Sequence, residues 1–240
     1  MTILHRLLKI NYLDILKTVH IIISPRSNKL FWKFHSKKSD SSYLLNINDS
    51  RNTFLVENLV LKNASSFLEI GCNVGNRIIN IALKNPDTNF FGIDIDKKAI
   101  EVGNLIIEDR GIKNIKLYYL DLTNKEGFER LFPEGIDYIC SWAVLMYVHP
   151  LYIRRVLKNV LKISNKHVVF VEPATKNRLS TVTTGTISLG TRNWAYNYRK
   201  LIQKLEPNIW LISESEVPKD IWSPGGKDKP IKFIGSKIEI

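Results

Sequence analysis

Only two cysteines, Cys72 and Cys140, occur in the 240 residues, each inside an apolar segment. That excludes a disulfide framework and a cysteine-rich zinc module, and a reducing, cytoplasmic setting is expected. No metal is expected either. No run reaches the roughly 18 consecutive apolar residues that a membrane-spanning helix requires. Residues 1–23 are apolar but broken by Arg6, Lys9, Asp14 and Lys17, and they lack a small-residue cleavage site, so they do not read as a secretory leader. Internal repeats and low-complexity linkers are absent, which leaves no room for a second catalytic domain.

The remaining composition is that of an ordinary globule, 44% hydrophobic and long enough to bury roughly 70% of its unfolded surface. Its charge is unevenly spread. Residues 1–42 carry eight Lys or Arg against two acids, residues 43–150 eleven against fourteen, and residues 151–240 sixteen against seven. A faintly acidic middle between basic flanks suits an anionic acceptor held by the flanks. At the N-terminus, Leu4, Leu7, Leu8, Ile15, Leu16 and Val19 fall near helical spacing. Residues 1–50 are therefore expected to form a basic helical cap or lid, with peripheral membrane contact as a second possibility.

The most informative stretch is Ser66-Phe67-Leu68-Glu69-Ile70-Gly71-Cys72-Asn73-Val74-Gly75-Asn76. It reads as a buried strand that breaks into a glycine-punctuated turn and opens a helix. Gly71 permits angles a side chain forbids, Gly75 lets the helix pack on the strand, and the helix start offers unpaired amides to a ligand. Dinucleotide sites want Gly-x-Gly-x-x-Gly at this place. Here Asn73 replaces the middle glycine, and Glu69 would repel a pyrophosphate while suiting a cation. Asn89-Phe90-Phe91-Gly92-Ile93-Asp94 then reads as a second strand ending in an acid 23 positions after Gly71. In one βαβ unit that carboxylate accepts from ribose hydroxyls, which makes Asp94 the ribose ligand. Asp96 is expected to start the next helix.

Glu69-Ile70-Gly71-Cys72-Asn73-Val74-Gly75 resembles motif I of the class I S-adenosylmethionine-dependent methyltransferases, usually Glu/Asp-x-Gly-x-Gly-x-Gly. The resemblance implies an α/β, Rossmann-like three-layer fold with seven mostly parallel strands in the order 3-2-1-4-5-7-6, the last antiparallel. It implies S-adenosyl-L-methionine as cofactor, held by Glu69, Gly71, Cys72, Asn73, Gly75, Asp94 and Ile95. Asp121, ending the strand Ile115–Leu120, matches the family position near the adenine amino group, with the Leu122 amide beside it. Ser141 and Trp142 match the loop bordering the methyl group, and Arg51 the position facing the methionine carboxylate.

Strands are expected at 66–70, 89–94, 115–120, 136–141, 166–172, 208–213 and 231–240. Helices are expected at 51–62, 75–84, 97–110, 124–131, 150–163 and 193–205, and a turn at Pro224–Asp228. Residues 51–240 then form the methyltransferase domain. Holding an acceptor in line with the S–CH3 bond supplies much of the acceleration, and a hydroxyl acceptor also gains from a general base. Tyr147, His149 and Glu172 fall on loops beyond strand ends where such a group belongs. Trp194 and Tyr198, four apart, would share a helix face and either stack on a sugar or fill the core.

The Asp/Asn-Pro-Pro-aromatic loop of base-amine methylases is replaced by Ser141-Trp142-Ala143-Val144, and Cys140 has no preceding proline, which disfavours cytosine-C5 chemistry. A small-molecule or carbohydrate acceptor methylated at oxygen is the leading expectation, by resemblance to polysaccharide-pathway methylases. The alternatives are an RNA methyltransferase and a catalytically silent module of the same fold that only binds a partner.

Overall fold

A computed structural model describes Lys29, Leu30 and Lys33, residues 64–174 and 194–206, and the backbone of three short strand pieces beyond them. Strands and helices alternate from residue 66: β1 (Ser66–Ile70), α1 (Asn76–Leu83), β2 (Asn89–Asp94), α2 (Lys97–Asp109), β3 (Ile115–Tyr119), α3 (Lys125–Leu131), β4 (Ile136–Trp142), α4 (Pro150–Ile163) and β5 (Ser164–Pro173). Then follow α5 (Tyr198–Leu205), β6 (Trp210–Leu211), β7 (Ile231–Lys232) and β8 (Ser236–Lys237). Asp96 caps α2 by accepting from the Lys98 and Ala99 amides, and Asn124 caps α3 through the Gly127 amide, so side chains open both helices as Asx caps should.

The five long strands are parallel in the order β3-β2-β1-β4-β5. Because successive strand residues point to opposite faces, β1 feeds two cores. Leu68 and Ile70 join Ile139, Val168 and Phe170 under α4, while Phe67 joins Phe90, Tyr138 and Cys140 beneath α1 and α2. With both faces covered, the strands need the continuous apolar runs the sequence carries. Glu69 sits opposite Gly92 and Cys140, and Ile70 opposite Ser141, so the strand ends line up along one edge.

Beyond β5 the architecture differs in detail from expectation. Within the strand expected at 231–240 the described residues form two short pieces, β7 and β8, both antiparallel to β5, with β6 pairing β8. The helix expected from 193 begins only at Tyr198, capped by Asn197. Tyr196, just before it, is bridged to Ala174, so a strand-type contact and not a helical turn precedes α5. The cap at 1–50 apart from Lys29, Leu30 and Lys33, the helix 51–62 with Arg51, and the 224–228 turn lie outside the described residues.

Candidate functional site

The loop leaving β1 takes positive φ at three positions, Gly71 (69°), Asn73 (52°) and Gly75 (82°). Asparagine is among the few residues that tolerate this region, and its Oδ1 accepts from the Val74 amide at 2.7 Å. Asn73 can therefore stand where a glycine is usual. Gly71 is needed for a second reason: a Cβ there would lie 2.3 Å from Val144 Cγ2 in the loop after β4. The Gly71 and Cys72 amides donate to the Ile93 carbonyl at 2.7 and 3.1 Å, tying the loop to the end of β2. At Gly75 an added Cβ would meet Leu117 at 3.0 Å, which is the close packing expected of this glycine.

Asp94 ends β2 half-buried. Its Oδ2 accepts from the Asn73 amide and its Oδ1 from the Asp96 amide, each at 2.9 Å. Burial raises its pKa, and the Asp96 and Asn73 amides offset only part of that rise. Ile95, also half-buried, joins it to the helix cap. One strand over, Asp121 takes the Thr123 amide and hydroxyl on Oδ1, at 2.8 and 2.7 Å, and Lys29 Nζ on Oδ2 at 2.9 Å. Burial pushes this carboxyl up, but the Thr123 and Lys29 donors outweigh it and hold it below the usual range. The Leu122 carbonyl accepts from Asn159 on α4.

Glu69 is buried and already faces a cation of the chain. Arg77 Nη1 donates to its Oε1 at 2.6 Å, and the guanidinium lies 5.0 Å from the centre of the Trp142 ring. Glu69 Oε2 and Arg77 Nε are buried with no hydrogen-bond partner among the described residues. Burial lifts the Glu69 pKa, Arg77 lowers it, and the net direction is upward.

Glu172 does not stand at an open mouth. It is wholly buried, and its carboxylate accepts from the Ser141 hydroxyl (2.6 Å) and from the amides of Val144 (2.9 Å), Leu145 (3.0 Å) and Met146 (3.1 Å). A carboxylate so engaged holds the loop after β4 and cannot reach an acceptor. Ser141 likewise turns its hydroxyl to Glu172 and acts through it. His149 caps α4: its Nδ1 accepts from the Leu151 amide at 3.2 Å, and its ring meets Trp194 edge-on at 5.5 Å. The Nδ1 lone pair thus serves the cap of α4. Tyr147 is half-buried in the short 3-10 turn Leu145–Tyr147.

Trp194 and Tyr198 do not share a helix face, since Trp194 precedes α5. Both are buried in the core, with the Trp194 amide on the Met146 carbonyl and Tyr198 against Phe170, so they fill the core and offer no open stacking surface. The structure thus gathers Gly71, Cys72, Asn73, Gly75, Asp94 and Ile95 at one edge. It brings the Ser141–Tyr147 loop against them through Val144, and sets Asp121 and Leu122 one strand away. Two residues escaped the sequence reading. Arg77 stood in view eight positions after Glu69, whereas Lys29, 92 positions from Asp121, gives no local signal.

Known proteins share the fold that carries these residues. A family model described as "Methyltransferase domain" matches residues 68–167. The tRNA N(3)-cytidine methyltransferase METTL6 of Homo sapiens is 31% identical over 108 residues, covering 44% of this chain and 37% of that protein. The chain spans no more than 38% of the first curated relatives it matches. An O-methyltransferase family protein from Burkholderia thailandensis superposes with a TM-score of 0.65 at 11% identity, over 96% of this chain and 69% of that one. Magnesium protoporphyrin IX methyltransferase (ChlM) from Synechocystis PCC 6803, solved with SAH, gives 0.62 at 12% identity, over 88% and 100%. Residues 68–167 thus match a methyltransferase domain, and the superpositions show a Rossmann-like fold.

Proposed function

We propose that the chain is an S-adenosyl-L-methionine-dependent methyltransferase that transfers a methyl group to a small-molecule or carbohydrate acceptor at oxygen. The observation that carries the donor assignment is the β1–α1 loop, turned by three positive φ angles and roped to Asp94 through the Asn73 amide. Asp94, half-buried with an accepting oxygen on each side, suits the ribose hydroxyls, and Ile95 and Leu122 flank the purine. Asp121 suits the adenine amine. Glu69 Oε2, buried without a donor among the described residues, and the Arg77 guanidinium beside it present opposite charges to the zwitterionic amino-acid end. Cys72 and Trp142 close the cleft from the sheet side.

When bound, the donor supplies an electrophilic methyl on a sulfonium. The chain's own residues have to orient, and Glu172 does this indirectly: four donors fix Ser141 and the Val144–Met146 amides, and so the loop that borders the methyl. Tyr147 lines the acceptor side of that loop. The acceptor class rests on the likeness to polysaccharide-pathway methylases and on Ser141-Trp142-Ala143-Val144 standing where base-amine methylases carry prolines.

A second assignment, an RNA acceptor, is favoured by one surface. Helices α4 and α5 pack together and contain no acidic residue, while Arg154, Arg155, Lys158, Lys200 and Lys204 are exposed on them. The relative from Homo sapiens acts on tRNA cytidine, which agrees with it. Calorimetry with S-adenosylmethionine on wild type and Asp94→Ala tests the donor assignment: binding must be clear in the first and lost in the second. RNA affinity that falls steeply with salt would select the second acceptor, since each neutralised phosphate releases counterions.

A further inference from the structure

Lys29 reaches across 92 positions of sequence to the carboxyl end of β3. Its Nζ donates to Asp121 Oδ2 at 2.9 Å and to Thr123 Oγ1 at 2.6 Å, and it stands 4.5 Å from the centre of the Tyr152 ring on α4. The three hydrogens of an ammonium thus meet a carboxylate, a hydroxyl and a π face. Lys33, one helical turn on, lies 6.0 Å from the ring centre of Tyr119, the exposed last residue of β3. Two cations therefore grip one strand end.

An isolated ion pair with both partners partly in water contributes little, and here the side chains are 30% and 31% exposed. The added hydroxyl and ring make this seat more specific than a chance contact. Asp121 Oδ1 is filled by Thr123, while Oδ2 keeps capacity for one more donor beside Lys29. An adenine amine and Lys29 can use that oxygen together.

We propose that Lys29 is the latch of the cleft's adenine end: its bond to Asp121 seats Lys29, Leu30 and Lys33 across the carboxyl end of β3 and slows the release of a bound adenosyl ligand. This rests on Asp121 as the adenine acid. The latch acts on dissociation because its bond to Asp121 must break before the adenine end opens, and salt weakens it because its partners are 30% and 31% exposed.

The test is the release rate of S-adenosylhomocysteine from the full chain, measured by stopped flow for wild type, Lys29→Ala, Lys29→Arg and Asp121→Asn at about 0.05 and 0.5 M salt. Lys29→Ala should release the ligand about fivefold faster, Lys29→Arg should keep the wild-type rate, and salt should accelerate wild type but not Lys29→Ala. Equal or slower release from Lys29→Ala overturns the latch while the donor assignment stands. If Lys29→Ala does not fold, wild-type release insensitive to salt overturns it instead. No binding by wild type removes the donor assignment and the latch together, whereas Asp121→Asn holding the ligand as well as wild type refutes the adenine acid and the latch and leaves the donor assignment standing.

Discussion

Gly71 and Val144 touch across the cleft: a Cβ built on Gly71 would stand 2.3 Å from Val144 Cγ2 and 2.6 Å from Cγ1. The turn after β1 and the loop after β4 are thereby fitted to each other. Gly71→Ala meets two penalties at once, overpacking and a left-handed backbone, together about 2–4 kcal/mol. Urea unfolding should show that loss. Adding Val144→Ala should recover part of it, because the methyl groups in the way are gone while the φ of 69° remains. A single mutant as stable as wild type would show that the two loops are not so closely fitted.

Glu172 sets the loop that Val144 belongs to. Glu172→Gln turns an amide N–H2 toward donors that are themselves N–H groups, and about 2–3 kcal/mol of stability should go because buried donors lose their acceptor. The pH dependence has a definite sign. Burial raises the Glu172 pKa, and the Ser141, Val144, Leu145 and Met146 donors offset it only in part. The folded chain therefore holds this proton more tightly than the unfolded chain. Stability must fall as pH rises above the ordinary value of 4.5. Glu172→Gln lacks that slope, so the gap between the two proteins should be widest near pH 4.5 and narrow upward; parallel curves would deny Glu172 a raised pKa.

Much of this site could be seen in the sequence because it is local. Leu68, Ile70, Gly71 and Gly75 carry strand, turn and helix in one run, and Asp94 closes a βαβ unit whose length is set by geometry. What stayed hidden depends on contacts between distant segments. A carboxylate before a proline, as in Glu172-Pro173, looks the same whether it faces solvent or four donors from residues 141–146. Trp194 and Tyr198 had helical spacing, but the bridge of Tyr196 to Ala174 puts a strand-type contact before α5, so tertiary pairing overrode the local pattern.

His149 separates a cap from a base. As a cap, its Nδ1 serves the Leu151 amide, and His149→Ala should cost about 1 kcal/mol of stability. Asparagine keeps a cap acceptor but not an imidazole, so His149→Asn should restore stability and leave turnover near wild type. A general base is worth about a hundredfold or more. A fall of that size in His149→Asn, with stability intact, would return His149 to the chemistry.

The Glu69–Arg77 pair makes the sharpest claim about charge, because one member is almost fully enclosed: the side chains are 2% and 20% exposed. Arg77→Met leaves a buried carboxylate without its cation, a change that typically costs about 3–5 kcal/mol. Burial already raises the Glu69 pKa against the pull of Arg77, and Asp94 adds to the rise. Without Arg77 it must climb further, so the mutant's stability should fall more steeply than wild type as pH rises above 4.5. Near that pH the carboxyl takes a proton and most of the penalty should vanish. Glu69→Gln combined with Arg77→Met removes both charges and should be more stable at neutral pH than Arg77→Met alone. Urea unfolding of the three proteins from about pH 4.5 to 8 measures this, and a pH-independent loss in Arg77→Met would mean that the guanidinium matters for its packing on Trp142 rather than for the charge it holds against Glu69.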